Sequence, residues 1–243
     1  MSEIKLHLGD CLPFMRAMES ESIDAVVTDP PYGIGFLYAR GRELCNNPQE
    51  YWKWYQPIHH ECLRLLRPGG FWAVWQSGTY HRYLWDWFGD NVRIYIAAKN
   101  FVQLRPTEIN HAYDPVAIGY KNGEPLRPKN PPRSLDYSVA NTAGLISDTT
   151  RPEKGHPAPK VISQVQHIIE NFTLPSGVVF DPFMGSGTTG LAAIKSGRDF
   201  IGCEIVPDYF VIAENRIYDA QLQIPLLPVD QLTSKKFDFW RLL

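Results

Sequence analysis

Two stretches of the sequence contain residue types that could do chemistry, and each directly follows a run of apolar residues. TDPPYGIG, residues 28–35, follows IDAVV and combines an acid, two prolines and an aromatic ring. GSGTTG, residues 185–190, follows VVF and opens a stretch that reads as a helix. Two consecutive prolines are a poor continuation of a sheet. We therefore expect these residues at the edge of a sheet, where α/β proteins bind their ligands.

The glycine-containing stretch predicts a nucleoside-containing cofactor. GSGTTG fits the GxGxxG pattern, whose glycines allow a tight turn and close approach of a ligand to a helix N-terminus. Glu204 follows Gly185 by nineteen residues, at the end of the next predicted strand, where its carboxylate can accept hydrogen bonds from both ribose hydroxyls. No lysine follows the final glycine, which argues against a P-loop. The motif alone leaves open an NAD-dependent dehydrogenase, an S-adenosylmethionine-dependent methyltransferase and a turn without a ligand.

The DPPY residues, Asp29–Tyr32, favour the methyltransferase. An aromatic amino group such as that of adenine is a poor nucleophile because its lone pair is delocalised into the ring. The Asp29 carboxylate and the Pro30 carbonyl could accept hydrogen bonds from both of its N–H groups and localise that lone pair. Prolines fix φ at about −65°, so Pro30 and Pro31 would aim the carbonyl before the substrate arrives. Tyr32 would stack on a base flipped out of the duplex. A plain strand-terminating turn is the alternative.

Length and composition limit the class of protein. The 243 residues, with a net charge of −2 and 44% hydrophobic residues, suit one globular α/β domain. No run of about 18 apolar residues is present, so we expect no membrane span, and MSEIKLHLGD does not resemble a secretion signal. The cysteines lack the spacing of a disulfide framework or a zinc site, which indicates reduced thiols in a cytoplasm; they are Cys11, Cys45, Cys62 and Cys203.

One segment carries a local excess of positive charge. Residues 99–160 contain nine Lys or Arg and six Asp or Glu, a local net charge of +3, on an otherwise acidic chain. Such a segment is compatible with a surface that faces phosphates, although solvated loops have the same composition. Residues 122–159 also contain seven prolines and few long apolar side chains, which predicts a loop-rich insert.

Alternating strand and helix patterns predict an open, mostly parallel, doubly wound sheet. Asn47 and Pro48 read as the cap and first residue of a helix that runs to about Arg67. Pro57 is expected to kink or restart that helix, and Pro68 with two glycines to end it. The predicted strands are 4–8, 23–28, 71–75, 92–98, 110–121, 176–183 and 198–205, and the other predicted helices are 11–18, 79–88, 161–172, 189–197 and 207–222.

DPPY followed much later by DPFMGSGTTG resembles the DNA amino-methyltransferases, which act on the 6-amino group of adenine or the 4-amino group of cytosine. The order of the two motifs is similar to that of the circularly permuted β group, over residues 4–218. The resemblance implies a single methyltransferase domain over 1–243, with a Rossmann-like, seven-stranded, mostly parallel sheet. It further implies that 122–155 is a short target-recognition insert, that S-adenosylmethionine is the cofactor and that DNA is the partner.

The resemblance also implies roles for individual residues. Asp10, at the end of HLGD, would contact the adenine amino group of the cofactor, with Cys11 beside it. HPAPK, residues 156–160, is similar to an HPxxKP element that closes over the cofactor, although Val161 stands where a proline is usual. The implied catalytic residues are Asp29, Pro30, Pro31 and Tyr32. The implied cofactor-binding residues are Asp10, Cys11, His156, Lys160, Asp181, Pro182, Phe183, Gly185, Ser186, Gly187, Thr188 and Glu204.

Two groups of residues are predicted to contact DNA. Phe36, Arg40 and Arg42 follow DPPY, where arginine could meet phosphates and phenylalanine could wedge between bases. The second group lies in the basic segment and consists of Arg127, Lys129 and Arg133. His59 and His60 are adjacent and do not share a helix face, so they are interpreted as structural or solvated and no metal site is predicted.

Substrate and assembly are predicted from the family pattern. Adenine enzymes usually carry Asp in the first position of the DPPY motif and cytosine enzymes usually Ser, so Asp29 favours adenine. A cytosine 4-amino enzyme and a catalytically silent DNA-binding subunit of the same fold are the alternatives. A homodimer and an accompanying restriction endonuclease are further expectations from the family.

Overall fold

The computed structural model of the chain describes residues 2–32, 47–98, 113–128, 145–146 and 160–223. Within these ranges it contains eight strands, six α-helices and one 3-10 helix at Gly78–Tyr83. The strands are β1 Ile4–Leu8, β2 Ile23–Thr28, β3 Leu66–Trp75, β4 Arg93–Ala98, β5 Tyr113–Tyr120, β6 Leu145–Ile146, β7 Val178–Asp181 and β8 Asp199–Glu204. The helices are α1 Cys11–Ala17, α2 Pro48–Leu65, α3 Leu84–Phe88, α4 Ile162–Phe172, α5 Thr188–Lys195 and α6 Pro207–Gln223.

All eight described strands form one sheet, in the order β1-β8-β7-β2-β3-β5-β4-β6. The pairs from β1 to β3 are parallel, whereas β5 runs antiparallel to both of its neighbours, β3 and β4. Seven strands have four residues or more, and the two-residue β6 adds an eighth at the edge beside β4. The predicted mostly parallel α/β sheet is confirmed, and the circular permutation stays a prediction.

The sheet lies between two layers of helices, each with its own hydrophobic core. Side chains of α4, α5 and α6 pack on one face and those of α1, α2 and α3 on the other. Successive residues of β2 point to opposite faces, as the pleat of a strand requires. Ala25 and Val27 therefore join the first core and Val26 the second, and all three are fully buried.

The aromatic residues of α2 pack onto the sheet. Tyr51 and Tyr55 are fully buried. His59 is also buried, with its ring edge-on to Trp72 and Phe88 at centroid distances of 5.1 and 5.0 Å. Burial lowers the pKa of His59 to about 3, so the ring is neutral and its role is structural.

The predicted boundary between α2 and β3 is wrong. The helix passes through Pro57 without restarting and ends at Leu65, and β3 begins at Leu66 instead of residue 71. The following proline and glycines read as a helix terminator, but they pair with the segment after β5: Gly69 donates to the Lys121 carbonyl at 3.2 Å. Tertiary pairing thus overrides the local signal.

Residues 79–88, predicted as one helix, divide between the 3-10 helix and α3.

Candidate active site

The carboxyl edge of the parallel strands brings the predicted residues together. Asp10 follows β1, Asp29 follows β2, and Glu204 is the last residue of β8. Because β5 is antiparallel to β3, the beginning of β5 reaches the same edge. Trp75 pairs with Val116, so Asp114 lies just beyond the end of β3. Ligand sites of open α/β sheets lie at this edge.

A single cavity of about 280 Å³ joins the two sequence motifs. From the first motif it is lined by Asp29, Pro31 and Tyr32, whereas Pro30 is buried and is not part of the lining. Most of the predicted cofactor residues line the same cavity: Asp10, Cys11, Lys160, Asp181, Pro182, Phe183, Gly185, Ser186, Thr188 and Glu204. Several lining residues had no role predicted from the sequence, among them Thr28, Trp54, Trp75, Thr189 and Tyr209.

The glycine loop has the conformation that its sequence predicts. Gly187 has φ of 85° and precedes the first residue of α5. A β-carbon at this position would lie 3.0 Å from the Ala213 Cα, so a side chain here would crowd α6. It would also strain the backbone, because residues other than glycine rarely adopt this positive φ. Arg216 of α6 donates to the Ser186 carbonyl at 2.5 Å, which holds the loop from behind.

Glu204 closes the loop from the neighbouring strand. Its Oε2 accepts from the Gly185 N–H at 2.9 Å, and its Oε1 accepts from the Val206 N–H at 2.8 Å. Burial raises the pKa of Glu204, and the backbone N–H donors offset part of that shift. Each carboxylate oxygen keeps a further lone pair. Glu204 can therefore accept hydroxyl donors from a ligand in the cavity while it holds the loop.

The beginning of α1 forms another wall of the cavity. Asp10 is the N-cap of this helix and accepts from the Leu12 N–H at 3.0 Å. Asp10 is exposed, so its second oxygen can face a ligand. Burial raises the pKa of the adjacent Cys11 thiol to about 12, with Asp10 adding to the shift. Cys11 is therefore a neutral thiol and does not act as a nucleophile.

The carboxylate of the DPPY turn lies in a cluster of four polar side chains. Tyr32 donates its hydroxyl hydrogen bond to Asp29 Oδ1. Lys160 Nζ lies 3.1 Å from Asp29 Oδ2, 3.1 Å from Asp114 Oδ2 and 3.2 Å from the Tyr32 hydroxyl. The Tyr80 hydroxyl donates to the Tyr32 carbonyl at 2.7 Å and fixes the end of the turn. Lys160, which the resemblance assigns to the cofactor, contacts the predicted catalytic carboxylate.

A known family matches the part of the chain that forms this cavity. Residues 23–215 match the model of the DNA methylase family that covers N6 and N4 enzymes. The chain belongs to this DNA methylase family. The matched residues include the DPPY turn, Lys160 and the glycine loop, so the resemblance based on the two motifs is confirmed.

Individual relatives of the methylase agree with this assignment. YubD of Escherichia coli (strain K12), which is named as a methylase, is 28% identical over 217 residues, covering 88% of this chain and 89% of YubD. The crystal structure of the M1.HpyAVI-SAM complex has a TM-score of 0.63 and 25% identity, and the match covers 88% of this chain and 99% of that one. PvuII DNA methyltransferase, named as cytosine-N4-specific, has a TM-score of 0.68 at 20% identity and covers 91% and 92% of the two chains. The PvuII likeness shows the fold alone.

Asp181 of the methylase, the last residue of β7, accepts hydrogen bonds from two residues that line the cavity. Its Oδ1 accepts from the Thr28 hydroxyl at 2.7 Å and from the Phe183 N–H at 3.0 Å. Burial raises the pKa of Asp181 to about 6, and these donors limit the rise. Asp181 therefore fixes the backbone of the loop after β7. The signal for Thr28 in the sequence was a hydroxyl directly after the apolar residues of 25–27.

The electrostatics of the DPPY cluster depend on burial and on two carboxylates. Burial raises the pKa of Asp29, Lys160 and the Tyr32 hydrogen bond oppose the shift, and Asp114 adds to it. Burial alone would lower the pKa of Lys160, but Asp29 and Asp114 outweigh it and the net shift is upward. Lys160 therefore remains an ammonium that both carboxylates share.

Several predicted residues are not brought to the site. Arg127 is exposed, and the adjacent Leu126 N–H donates to the Gly69 carbonyl at 2.9 Å, near the start of β3. The cavity lies at the other end of that strand, about 20 Å away at the usual rise per residue. The remaining predicted contacts lie outside the described residues: Phe36, Arg40, Arg42, Lys129, Arg133 and His156.

The described residues hold neither a metal-ion cluster nor a membrane-spanning helix. Among residues 2–32, 47–98, 113–128 and 160–223 there is no group of three or more His, Cys, Asp or Glu side chains placed to hold a metal ion. In the part of the chain that the structure describes, no helix is both long and apolar enough to cross a membrane.

Proposed function

We propose that this methylase transfers a methyl group from S-adenosylmethionine to the 6-amino group of an adenine in DNA. The observation that carries the proposal is the continuous cavity between the Glu204 side of the glycine loop and Asp29. A cofactor held at one end would present its reactive group to a base held at the other. Such proximity converts a bimolecular reaction into an effectively unimolecular one.

The residues present fit this cofactor. Glu204 offers acceptor lone pairs for two ribose hydroxyls, and Asp10 offers a carboxylate oxygen for an adenine amino group. The backbone of the loop from Gly185 to Gly187 approaches closely because those residues lack or carry only short side chains. The bound cofactor supplies a methyl group on a sulfonium sulfur, and its transfer leaves the bonding electron pair on sulfur as a neutral thioether.

The chain's own residues would prepare the amine. The free lone pairs of Asp29 accept one N–H of the target amino group, and the Pro30 carbonyl accepts the other. Together these acceptors localise the nitrogen lone pair toward the methyl group and stabilise the positive charge that develops on nitrogen. After the N–C bond forms, nitrogen releases one proton, which the Asp29 carboxylate would accept. Tyr32, held through its carbonyl by Tyr80, would stack on the base.

Adenine is proposed because Asp29 occupies the first position of the motif, as it usually does in adenine enzymes. The alternative is the 4-amino group of cytosine, which presents the same chemistry to the same acceptors. The fold likeness to a cytosine-N4-specific enzyme keeps this alternative under consideration. A catalytically silent subunit is disfavoured because Asp29, Tyr32 and Lys160 form an intact cluster in a cavity shared with the glycine loop.

The test is methylation of mixed-sequence duplex DNA by the purified protein with S-adenosylmethionine, followed by nucleoside mass spectrometry. We expect 6-methyladenine with the wild-type protein and none with Asp29→Ala. Asp86→Ala, which removes an exposed carboxylate from α3, serves as the matched control and should retain activity. Methylcytosine would overturn the choice of base. Cofactor binding without any methylated base would favour the silent subunit.

Further proposals concern DNA contacts and assembly. Phe36, Arg40 and Arg42 follow the DPPY turn in the sequence, and that turn lines the end of the cavity that would receive the base. We propose that they contact the DNA around that base. The homodimer, the restriction endonuclease and the cytoplasmic location stay predictions from the sequence.

A further inference from the structure

Lys160 is shared between two carboxylates, only one of which belongs to the DPPY turn. The ammonium lies 3.1 Å from Asp29 Oδ2 and 3.1 Å from Asp114 Oδ2. The side chains are partly or largely buried, with 15% of Lys160, 28% of Asp29 and 9% of Asp114 exposed. Charges at such separations interact strongly where water is largely excluded. Asp114 therefore affects Asp29 through Lys160 as well as directly.

The balance of charges in this cluster matters for methyl transfer to an amine. The target nitrogen becomes positively charged as the N–C bond forms, so a site with net negative charge stabilises the transition state. With both carboxylates ionised, Asp29, Asp114 and Lys160 carry one net negative charge. Without Asp114, Lys160 would neutralise Asp29 and form its ion pair with that carboxylate alone. The catalytic carboxylate would then be a weaker acceptor for the amine.

We propose that Asp114 is a positioning residue for methyl transfer, which holds Lys160 away from exclusive pairing with Asp29 and offsets its positive charge. The inference rests on the proposed function, since it concerns the amine acceptor of that reaction, but it applies equally to adenine and cytosine. Asp114 reaches the cluster because it is the second residue of the antiparallel strand beside β3. It is thus on a different element from both Asp29 and Lys160.

Four titratable side chains in the described ranges interact electrostatically with Asp29. Tyr32 belongs to the turn itself, Lys160 precedes α4, Asp114 comes from β5 and Asp181 from β7. Asp114 raises the pKa of Asp29, whereas Lys160 and Tyr32 lower it. Removing Asp114 should therefore lower the pKa of Asp29. In a rate profile, the acidic limb would move to lower pH while the plateau rate falls.

A double-mutant cycle with D114N, K160M and D114N/K160M tests the proposal on DNA. We expect D114N to reduce kcat by about 10- to 100-fold, with the affinity for S-adenosylmethionine changed by less than about threefold. In the K160M background no ammonium has to be offset and only the direct interaction of Asp114 with Asp29 remains, so adding D114N should reduce kcat by a clearly smaller factor than it does in the wild-type background. An equal loss in both backgrounds would overturn the proposal, because Asp114 would then act independently of Lys160. If D114N does not fold, D114S takes its place in the same cycle.

The pKa of Asp29 gives a readout that does not need activity. Carbon-13 NMR titration of labelled aspartates, with the Asp29 signal assigned from Asp29→Asn, should show a lower pKa in D114N than in the wild-type protein. An unchanged pKa would overturn the inference. Glu21→Gln is the matched control, because Glu21 pairs with Lys121 at 3.1 Å elsewhere on the molecule. Wild-type protein that methylates no base would instead contradict the proposed function, and the titration would still decide the role of Asp114.

Discussion

The Thr28 hydroxyl lies 2.7 Å from Asp181 Oδ1, in a buried hydrogen bond that joins the last residue of β2 to the last residue of β7. These two strands are neighbours in the sheet, with Ala25 paired to Val179. The DPPY turn follows one strand and the glycine loop follows the other. The hydrogen bond therefore fixes the two functional segments relative to each other at their starting points.

Thr28→Val should weaken this junction. Valine keeps the shape of threonine but removes the donor, so the buried Asp181 loses a hydrogen bond. We expect the free energy of unfolding to fall by about 1–3 kcal/mol, as measured by urea denaturation. Thr28→Ser keeps the hydroxyl and should lose less than the valine variant. A larger loss of unfolding free energy in the serine variant than in the valine variant would mean that the methyl group, and not the hydrogen bond, stabilises this position.

Glu204→Gln should weaken cofactor binding. Glutamine has one acceptor oxygen, so it cannot accept from both the Gly185 and Val206 N–H groups and also receive ribose hydroxyls. We expect the Kd for S-adenosylmethionine to rise by about 10-fold or more in isothermal titration calorimetry. Glu19→Gln, at an exposed position, should bind as the wild-type protein does. Wild-type stabilisation by NAD and not by S-adenosylmethionine would contradict the assigned role of Glu204.

Arg216→Gln should weaken the contact between α6 and the glycine loop. Arg216 donates to the Ser186 carbonyl at 2.5 Å and to its hydroxyl at 3.1 Å, so its loss frees the backbone that approaches the cofactor. We expect the Kd for S-adenosylmethionine to rise by about 3- to 10-fold, or about 0.7–1.4 kcal/mol. This is less than the ~1.5–3 kcal/mol of a hydrogen bond to a charged group, because Glu204 still holds the Gly185 N–H. Lys195→Gln, at the exposed end of α5, is the control. Equal effects of the two variants would indicate a general loss of positive charge.

His59 should make the protein sensitive to acid. Its pKa is about 3 in the folded protein against an ordinary value of 6.5, so folding favours the neutral ring. The stabilisation is fully present above about pH 6.5 and is lost as the pH falls toward 3. Between pH 7 and pH 5, His59 alone should cost about 2 kcal/mol of the free energy of unfolding.

His59→Phe tests this linkage with a matched neighbour as control. The variant should lose about 2 kcal/mol less than the wild-type protein between pH 7 and pH 5 in urea denaturation. His60 is exposed on the same helix, and His60→Phe should keep the wild-type pH dependence. The same pH dependence in His59→Phe and the wild-type protein would show that other groups cause the loss.

The sequence by itself determined the α/β class, the two motifs and the glycine loop. Each of these follows from properties of a short stretch of chain: a buried strand, a turn that only glycine accommodates, or prolines that end a strand. Gly187 in its left-handed conformation and Asn47 at the N-cap of α2 are cases in which local chemistry was sufficient. These predictions needed no knowledge of what lay opposite in the fold.

The sequence also held a signal for Asp114 that its position alone did not explain. The chain contains three Asp-Pro pairs, which begin at Asp29, Asp114 and Asp181. All three carboxylates lie at the same edge of the sheet: Asp29 directly after the parallel strand β2, Asp181 at the end of the parallel strand β7, and Asp114 near the start of the antiparallel strand β5. Strand direction decides which end of a strand reaches the cavity. The residues of a strand do not show whether it runs parallel or antiparallel to its neighbours.

Tertiary structure decided the contacts that connect distant parts of the chain. Asp29, Asp114 and Lys160 are separated by 85 and 46 residues, yet one ammonium touches both carboxylates. The same holds for β3, which begins at Leu66, where it pairs with Ile23 of β2, and whose two glycines pair with the segment after β5. The DNA contact predicted for Arg127 from its charge stays a prediction, and the fold puts this residue beyond the end of β3 opposite to the cavity. Motifs are properties of adjacent residues, whereas the charge balance of the site depends on the order and direction of strands.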